Sequence, residues 1–285
     1  MSPEDFGWLR KLLKERSGLV LAAEKQYLAE SRLLPVARKY GMNTLAELIA
    51  RLKYACPPAL SAEVVDAMTT NETFFFRDKI PFDHLRHTMM PALIAARARE
   101  KRIRIWCTAC STGQEPYSLA MTLDEMAERL DGYKVQIVGT DICAAVLEKA
   151  RAGVYSHFEA QRGLPIQLLV KHFTQVGENW QITPAMRAMV QFRTLNLLQD
   201  FSPLGVFDIV FCRNVLIYFD QTTKQDVLRR LARQMPSDGY LVLGAAETVV
   251  GLTEMFKPVA DKRGLYAPAE ITAPSANVLK FAVKA

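Results

Sequence analysis

The sequence predicts an α/β fold: a doubly wound parallel sheet, preceded by an all-helical module and carrying a small inserted antiparallel β-subdomain. Three observations carry this expectation. From Ile103 onward, apolar runs of strand length alternate with amphipathic helical stretches, the pattern of a parallel sheet covered on both faces. Residues 1–68 show helical periodicity only. Between the second helix and the third strand of the alternating region, "HFTQV", "GEN" and "WQIT" read as a hairpin with a short loop.

The elements follow in order. "DFGWLRKLLKERSG" places Phe6, Leu9, Leu12 and Leu13 on one face and stops at Gly18. "AEKQYLAESRLLPVARKYGM" sets Tyr27, Leu28, Leu33 and Leu34 before an expected break or kink at Pro35, and Lys25, Arg32, Arg38 and Lys39 form a basic face. "NTLAELIARLKYA" is expected to start on an Asn cap, and "SAEVVDAMTT" to start a helix after the double proline. "TTNETFFFRDKIPF" is a connecting segment with three adjacent phenylalanines, either packed linker or the wall of a binding site. "FDHLRHTMMPALIAARAREKR" is a helix with a basic end. The strands are then "IRIW", "VQIVGTD", "VQFRTLNLL", "FDIVFCRNVLIYF" and "GYLVLGAAE", with a final short pair in "FKPVADKRGLYAP". Helices "PYSLAMTLDEMAERL", "CAAVLEKARAG" and "TTKQDVLRRLARQM" separate them. Residues after Pro268 read as a poorly ordered tail.

Composition narrows the class. Half of the 285 residues are apolar and 23% are charged, with no apolar run near the ~20 residues that cross a bilayer. The N-terminus "MSPEDFGWLRKLLKERSG" lacks the apolar centre of a secretion signal, so a cytoplasmic location is expected. Five cysteines do not suggest a disulfide framework. Cys107 and Cys110 form a CxxC without a second ligand pair, so no metal is expected. The net charge of +6 is uneven: residues 1–104 hold 18 Lys or Arg against 12 Asp or Glu, and residues 105–285 hold 18 of each. Such a basic region attracts acidic partners or simply forms a solvated helical surface.

The chemistry concentrates where the strands end, since open α/β sheets bind ligands beyond their carboxyl edges. The first loop, "CTACSTGQEP", holds one glycine and an acid, Glu115, expected at the helix cap position. A pyrophosphate cradle is glycine-rich and free of acid, so this loop suits a ligand that is cationic there, or Glu115 only stabilises the helix. The second strand ends in Asp141, placed either to accept from the two hydroxyls of an adenosine ribose or to cap the next helix. Adenosine joined to a cationic amino acid, without phosphate, is S-adenosylmethionine.

"MTTNETFFFRD", "CSTGQEPYSLAM", "GTDICAAVLEKARAGVY", "FRTLNLL", "FDIVFCRNVLIYFD" and "GYLVLGAAE" together closely resemble the chemotaxis receptor methyltransferase family, CheR, in order from about residue 5 to residue 267. The resemblance implies a helical N-terminal domain (1–70), a linker contributing to the cofactor site (71–84) and a Rossmann-like S-adenosylmethionine methyltransferase domain (85–267), with the β-subdomain at about 163–190. It implies methyl esterification of glutamates on a bacterial chemoreceptor, an acidic coiled-coil helix, by an enzyme recruited to membrane receptor arrays. Carried over by position, Asn71, Thr73 and Arg77 belong to the linker over the cofactor, Glu115 accepts from the methionine ammonium and Asp141 from the ribose. Asn196 and Leu197 border the adenine, and Asn214 and Val215 lie near the reacting end. Gln114 stands where many relatives have a second acid. Arg77 and Tyr218 are the candidates for holding the incoming carboxylate, and Lys25, Arg32, Arg38 and Lys39 for steering the acidic substrate. The inserted hairpin either grips a receptor's tethering peptide or serves as support, and a regulatory protein partner fits the same frame. No membrane insertion is expected. Three other readings compete. A nucleic-acid methyltransferase would need a Cys nucleophile or a (D/N)PPY clamp, and "RNVLIY" offers neither. A silent S-adenosylmethionine sensor would not need Arg77, Asn214 and Tyr218, and a nicotinamide oxidoreductase would need more glycines in the first loop.

Overall fold

A computed structural model describes residues 1–269. The tail expected from Pro268 onward falls almost wholly outside the described residues. The helical module comprises α1 (Pro3–Ser17), α2 (Gln26–Lys39), α3 (Leu45–Tyr54) and α4 (Pro58–Met68). Ser2 caps α1 by accepting from the Asp5 N–H, and Gly18 ends it in the left-handed region at φ 78°. The expected face, Phe6, Leu9, Leu12 and Leu13, is buried.

Four expectations for this module are corrected. α2 runs through Pro35 without a break. Pro35 and Ser31, whose carbonyl loses its helical partner, are both exposed, on the side of the helix that faces solvent. Tyr27 points outward at 63% exposure, and Ala29, Leu33, Val36 and Ala37 make the buried face. Thr44 rather than Asn43 caps α3, accepting from the Glu47 N–H, while the Glu47 carboxylate accepts from the Asn43 N–H. α4 begins at Pro58, a residue suited to a first helical turn, rather than near Ser61.

The linker leads into α5 (Ile80–His84) and α6 (Met90–Ala96), joined by one π-helical turn, Leu85–Met89. The large sheet then builds from β1 (Arg102–Cys107), α7 (Gln114–Asp124), β2 (Lys134–Asp141) and α8 (Ala144–Ala152). A small sheet interrupts it: β3 (Val154–Ser156), α9 (His157–Gln161), α10 (Ile166–His172), β4 (Phe173–Val176) and β5 (Asn179–Ile182). After α11 (Pro184–Ala188) come β6 (Val190–Thr194), β7 (Ile209–Cys212), α12 (Gln221–Ala232), β8 (Tyr240–Leu243), β9 (Phe256–Pro258) and β10 (Leu265–Pro268).

The large sheet has the order β6-β2-β1-β7-β8-β10-β9. Its first five strands are parallel, and β10 and β9 pair antiparallel. The order reverses at β1, whose neighbours are β2 and β7, so the crevice beyond its C-terminal end is the topological switch point. The hairpin β4–β5 is present, and a third strand, β3, extends it. β3 lies before residue 163, hidden in the sequence behind a helix that Gly153 has already ended.

One core cluster lies between the sheet and α5–α7, a second beneath α12, and a third fills the helical module. The module is fastened to the sheet domain next to the crevice. The Val20 N–H donates to the Tyr218 carbonyl at 2.9 Å, and Asn196 Nδ2 donates to the Arg16 carbonyl at 2.6 Å. Lys14 pairs with Asp220 at 2.7 Å. Among the described residues, no helix is long and apolar enough to cross a membrane.

Candidate active site

A cleft with about 970 Å³ of free space, counted out to its open mouth, occupies the switch point. All ten residues singled out for the cofactor and the reacting end line it: Asn71, Thr73 and Arg77 from the linker, Glu115, Asp141, Asn196 with Leu197, Asn214 with Val215, and Tyr218. Ser17 and Leu19 bring the helical module into the same wall.

The loop after β1 is closed on itself. Its Thr108 N–H donates to the Phe211 carbonyl, Cys110 to Thr140, Ser111 to the Asp141 carboxylate and Gly113 to Cys110. With these four donors spent inside the protein, fewer remain to wrap a phosphate than in a glycine-rich nucleotide loop. Gly113, at φ 93°, is the N-cap of α7, and a Cβ there would meet the Ala150 Cβ at 2.9 Å. Glu115 is therefore the second residue of the helix and does not cap it, a correction to its expected place. Gln114 is buried and accepts from the Thr112 hydroxyl at 2.8 Å.

Two acids face the cleft. Asp141 accepts from the Ser111 N–H at 2.8 Å and the Cys143 N–H at 3.0 Å, so it also braces the start of the next helix. Burial raises its pKa, and those backbone bonds oppose the rise. Glu115 accepts from Arg213 Nη1 at 2.7 Å. Burial raises its pKa as well, against the pull of Arg213 and of the Cys107 thiol. Cys107 and Cys110 are buried thiols pushed well up by burial, and among the described residues no cluster of metal-ligating side chains forms.

The linker wall is held from several sides. The Phe76 N–H donates to Ser118 Oγ at 3.0 Å, and the Ser111 hydroxyl donates to the Asn71 carbonyl at 2.7 Å. Phe75 and Phe76 belong to the sheet core, so the phenylalanine run is chiefly packed linker. Arg77 is half-buried, donates to the Glu72 carbonyl at 3.0 Å and lies 5.7 Å from the centre of the Phe74 ring.

On the facing wall, Asn214 takes a left-handed backbone, φ 58°. Glu247 explains how it is kept there. Its carboxylate accepts from the N–H groups of Asn214, Val215, Ile217 and Gly244 at 2.7 to 3.3 Å. Asn196 lines the cleft, but its amide is committed to Arg16 and to the Leu198 N–H, which leaves its flank for a ligand.

Sequence reasoning missed Arg213 and Glu247. Each had a signal: a charged residue at the carboxyl end of an apolar strand run, inside "FCRNVLIYF" and "GYLVLGAAE". The steering cations, by contrast, lie outside the cleft. Arg32 is not a free surface charge: its guanidinium donates to the Met68 and Thr69 carbonyls at 2.9 and 3.0 Å, anchoring the start of the linker. Lys39 pairs with Glu63 at 2.7 Å. Lys25 and Arg38 are exposed, and among the described residues neither has an ion-pair partner.

An adenosine-bearing cation without phosphate suits this cleft, because acids stand where a phosphate would be repelled and the loop keeps few donors for an anion. Comparison with known proteins agrees. Residues 4–69 match the CheR methyltransferase, all-alpha domain, and residues 71–265 the CheR methyltransferase, SAM binding domain. The chain is 43% identical over 265 residues to chemotaxis protein methyltransferase 1 of Pseudomonas aeruginosa, covering 92% of this chain and 96% of that one. It is 41% identical over 265 residues to chemotaxis protein methyltransferase Cher2 of Pseudomonas putida, with the same coverage. It is 34% identical over 256 residues to the chemotaxis protein methyltransferase of Borreliella burgdorferi, covering 88% of this chain and 90% of that one. The chain belongs to the CheR methyltransferase family, and S-adenosylmethionine is its cofactor.

Proposed function

We propose that this protein methylates glutamate side chains of bacterial chemoreceptors, forming glutamyl methyl esters that set receptor adaptation. The observation that carries the reading is the convergence of the two acids, the linker and the Asn214–Tyr218 loop on one phosphate-averse cleft. Glu115 would receive the cofactor's ammonium and Asp141 the ribose hydroxyls. Asn196 and Leu197 would flank the adenine, and Asn71 and Thr73 would close the linker side. When bound, the cofactor supplies a methyl group already activated by its sulfonium.

What remains for the protein is positioning. A glutamate with a pKa near ~4.3 is ionised at neutral pH, so no residue has to remove a proton from it. Arg77 supplies a cation at the mouth, and Tyr218 a hydroxyl, to orient the carboxylate in line with the methyl group. A clamp that bonded too strongly would quench the nucleophile. Arg77 satisfies this limit, because the Glu72 carbonyl and the Phe74 ring already share its charge. Apolar walls from Leu19, Leu197 and Val215 exclude water, which favours a step in which opposite charges are neutralised.

An acidic receptor helix is the partner that suits the basic first part of the chain, with Lys25 and Arg38 as its free steering charges. Working on such a receptor places the enzyme at membrane receptor arrays. The test is mass spectrometry of receptor peptides after incubation with isotopically labelled cofactor. One labelled methyl per modified glutamate, lost in mild alkali, is the expected result. Label on another side chain, or label stable to alkali, overturns the reading.

A further inference from the structure

Arg213 leaves the C-terminal end of β7 and is buried at 5% exposure. Its fork reaches in two directions. Nη1 donates to the Glu115 carboxylate at 2.7 Å, and Nη2 donates to the Asp78 carboxylate at 2.7 Å and to the Arg77 carbonyl at 2.9 Å. One side chain thus joins the first loop's helix to the linker that carries Arg77. A lysine at this position would be a point charge without the fork needed to serve both sides at once.

The segment it holds does not rest in a favoured conformation. Phe76, Asp78 and Lys79 all have left-handed backbones, at φ 51°, 69° and 49°. Residues with a Cβ adopt this region reluctantly, so outside contacts have to maintain it. Ser118 holds Phe76, as described above, and Arg213 holds Asp78 together with the Arg77 carbonyl. The two ends of the brace differ in exposure. The Glu115 side chain is 12% exposed and that of Asp78 is 37% exposed, so the linker end is the more easily released.

Building on the reading of Glu115 as the ammonium partner and Arg77 as the substrate-side cation, we infer that Arg213 is a positioning residue for methyl transfer. It is a buried brace that keeps the Arg77 segment in register with the Glu115 end of the cleft. Removing the linker end of the brace leaves the cofactor site intact and misplaces Arg77. The charge consequence is separable from the geometric one. Glu115 is faced by Arg213 from β7, by Cys107 and Cys110 from β1 and its loop, by Cys212, and by Arg77 from the linker. Without the Asp78 carboxylate, the guanidinium's charge falls more fully on Glu115 and eases its ionisation.

The experiment measures S-adenosylhomocysteine binding by calorimetry across pH, and methylation kinetics, for the full chain and for Asp78→Asn, Arg213→Lys and Glu115→Gln. For Asp78→Asn, kcat is expected to fall about tenfold, the loss of one charge-assisted contact, while affinity at neutral pH stays within about twofold. The acid limb of its binding curve moves to lower pH, a change that a merely loosened fold would not produce. Arg213→Lys keeps the charge but loses the fork, and its kcat is expected to fall as well. An Asp78→Asn enzyme with wild-type kcat and an unmoved acid limb overturns the inference, even if the Arg213 variant fails to fold. If Glu115→Gln binds S-adenosylhomocysteine like the wild type, the ammonium-site reading fails instead, and the Asp78 kinetics still judge the brace.

Discussion

Asp141 and Glu115 line the same cleft as largely buried acids, yet they are held by different means. Asp141 rests on two backbone N–H groups, fixed dipoles that direct its oxygens without cancelling its charge. Glu115 rests on a guanidinium, a full opposite charge shared with Asp78. On the proposed assignment, that contrast suits the two ends of the cofactor. The ribose end needs an oriented acceptor for neutral hydroxyls, and backbone donors supply orientation. The amino-acid end carries an ammonium, for which a carboxylate held by a buried guanidinium would be a fully charged acceptor.

The largest expected effect breaks the comparison at its ionic side. Glu115→Gln should weaken S-adenosylhomocysteine binding roughly a hundredfold and lower thermal stability, because Arg213 loses a buried partner. Calorimetry and a melting curve read the two losses separately. Asp141→Asn should cost less, about tenfold in affinity, since the amide oxygen still accepts one backbone bond while its NH₂ faces another donor. If the two substitutions prove equal, the distinction between ionic and dipolar support fails.

Acidification tests both acids together. Their pKa values are raised by burial in the folded protein, so they take up protons above the ordinary carboxylate range. Binding of a cationic ligand requires the ionised forms and is therefore complete above those raised values and lost as pH falls through them. The Kd for S-adenosylhomocysteine should start to rise at a higher pH than ordinary carboxylates would give. The same shifts mean that the folded state binds these protons more tightly than the unfolded chain, so their protonation does not itself promote unfolding. Asp220 behaves oppositely. Lys14 holds its carboxyl well below the usual range, so its contribution is present above the ordinary value and disappears only in strong acid. Ligand binding should consequently fail before the contact between helical module and sheet domain does, a sequence visible by following calorimetry and circular dichroism in parallel.

Smaller effects sharpen the picture at the mouth. Tyr218→Phe should slow turnover about tenfold with cofactor affinity unchanged, since the hydroxyl is assigned to the substrate and the carbonyl held by Val20 is retained. An unchanged kcat removes Tyr218 from the reacting end. Mildest of all is the response to salt. With Arg32 and Lys39 engaged internally, only Lys25 and Arg38 of the four cations remain to steer an acidic helix, so added salt should raise KM for the receptor by a few-fold at most and leave kcat nearly constant.

Much of this was legible in the residues. The alternation after Ile103, the acids closing "GTD" and following "STGQ", and the helical face of α1 all depend on short-range spacing, which a sequence displays directly. Misreadings arose where two remote segments decide the outcome. Arg32 reads as one more cation on a basic face until the carbonyls of Met68 and Thr69 are brought against it. Pro35 reads as a break until its turn proves to face water. β3 escapes a sequence reading because a three-residue strand has no period of its own and exists only by pairing with β5.

The sequence by itself determined the class of fold and singled out two acids in glycine-poor strand-end loops, a pattern that suits a cationic ligand without phosphate. Local propensity and charge type are properties of single residues and their near neighbours, so they survive without coordinates. Only the tertiary structure decided which charges act and which are spent. Arg213 and Glu247 became visible because their partners, Asp78 and Glu115 for one and the N–H groups of Asn214 to Ile217 for the other, lie far away along the chain. An electrostatic role depends on distance and burial, and folding is what sets both.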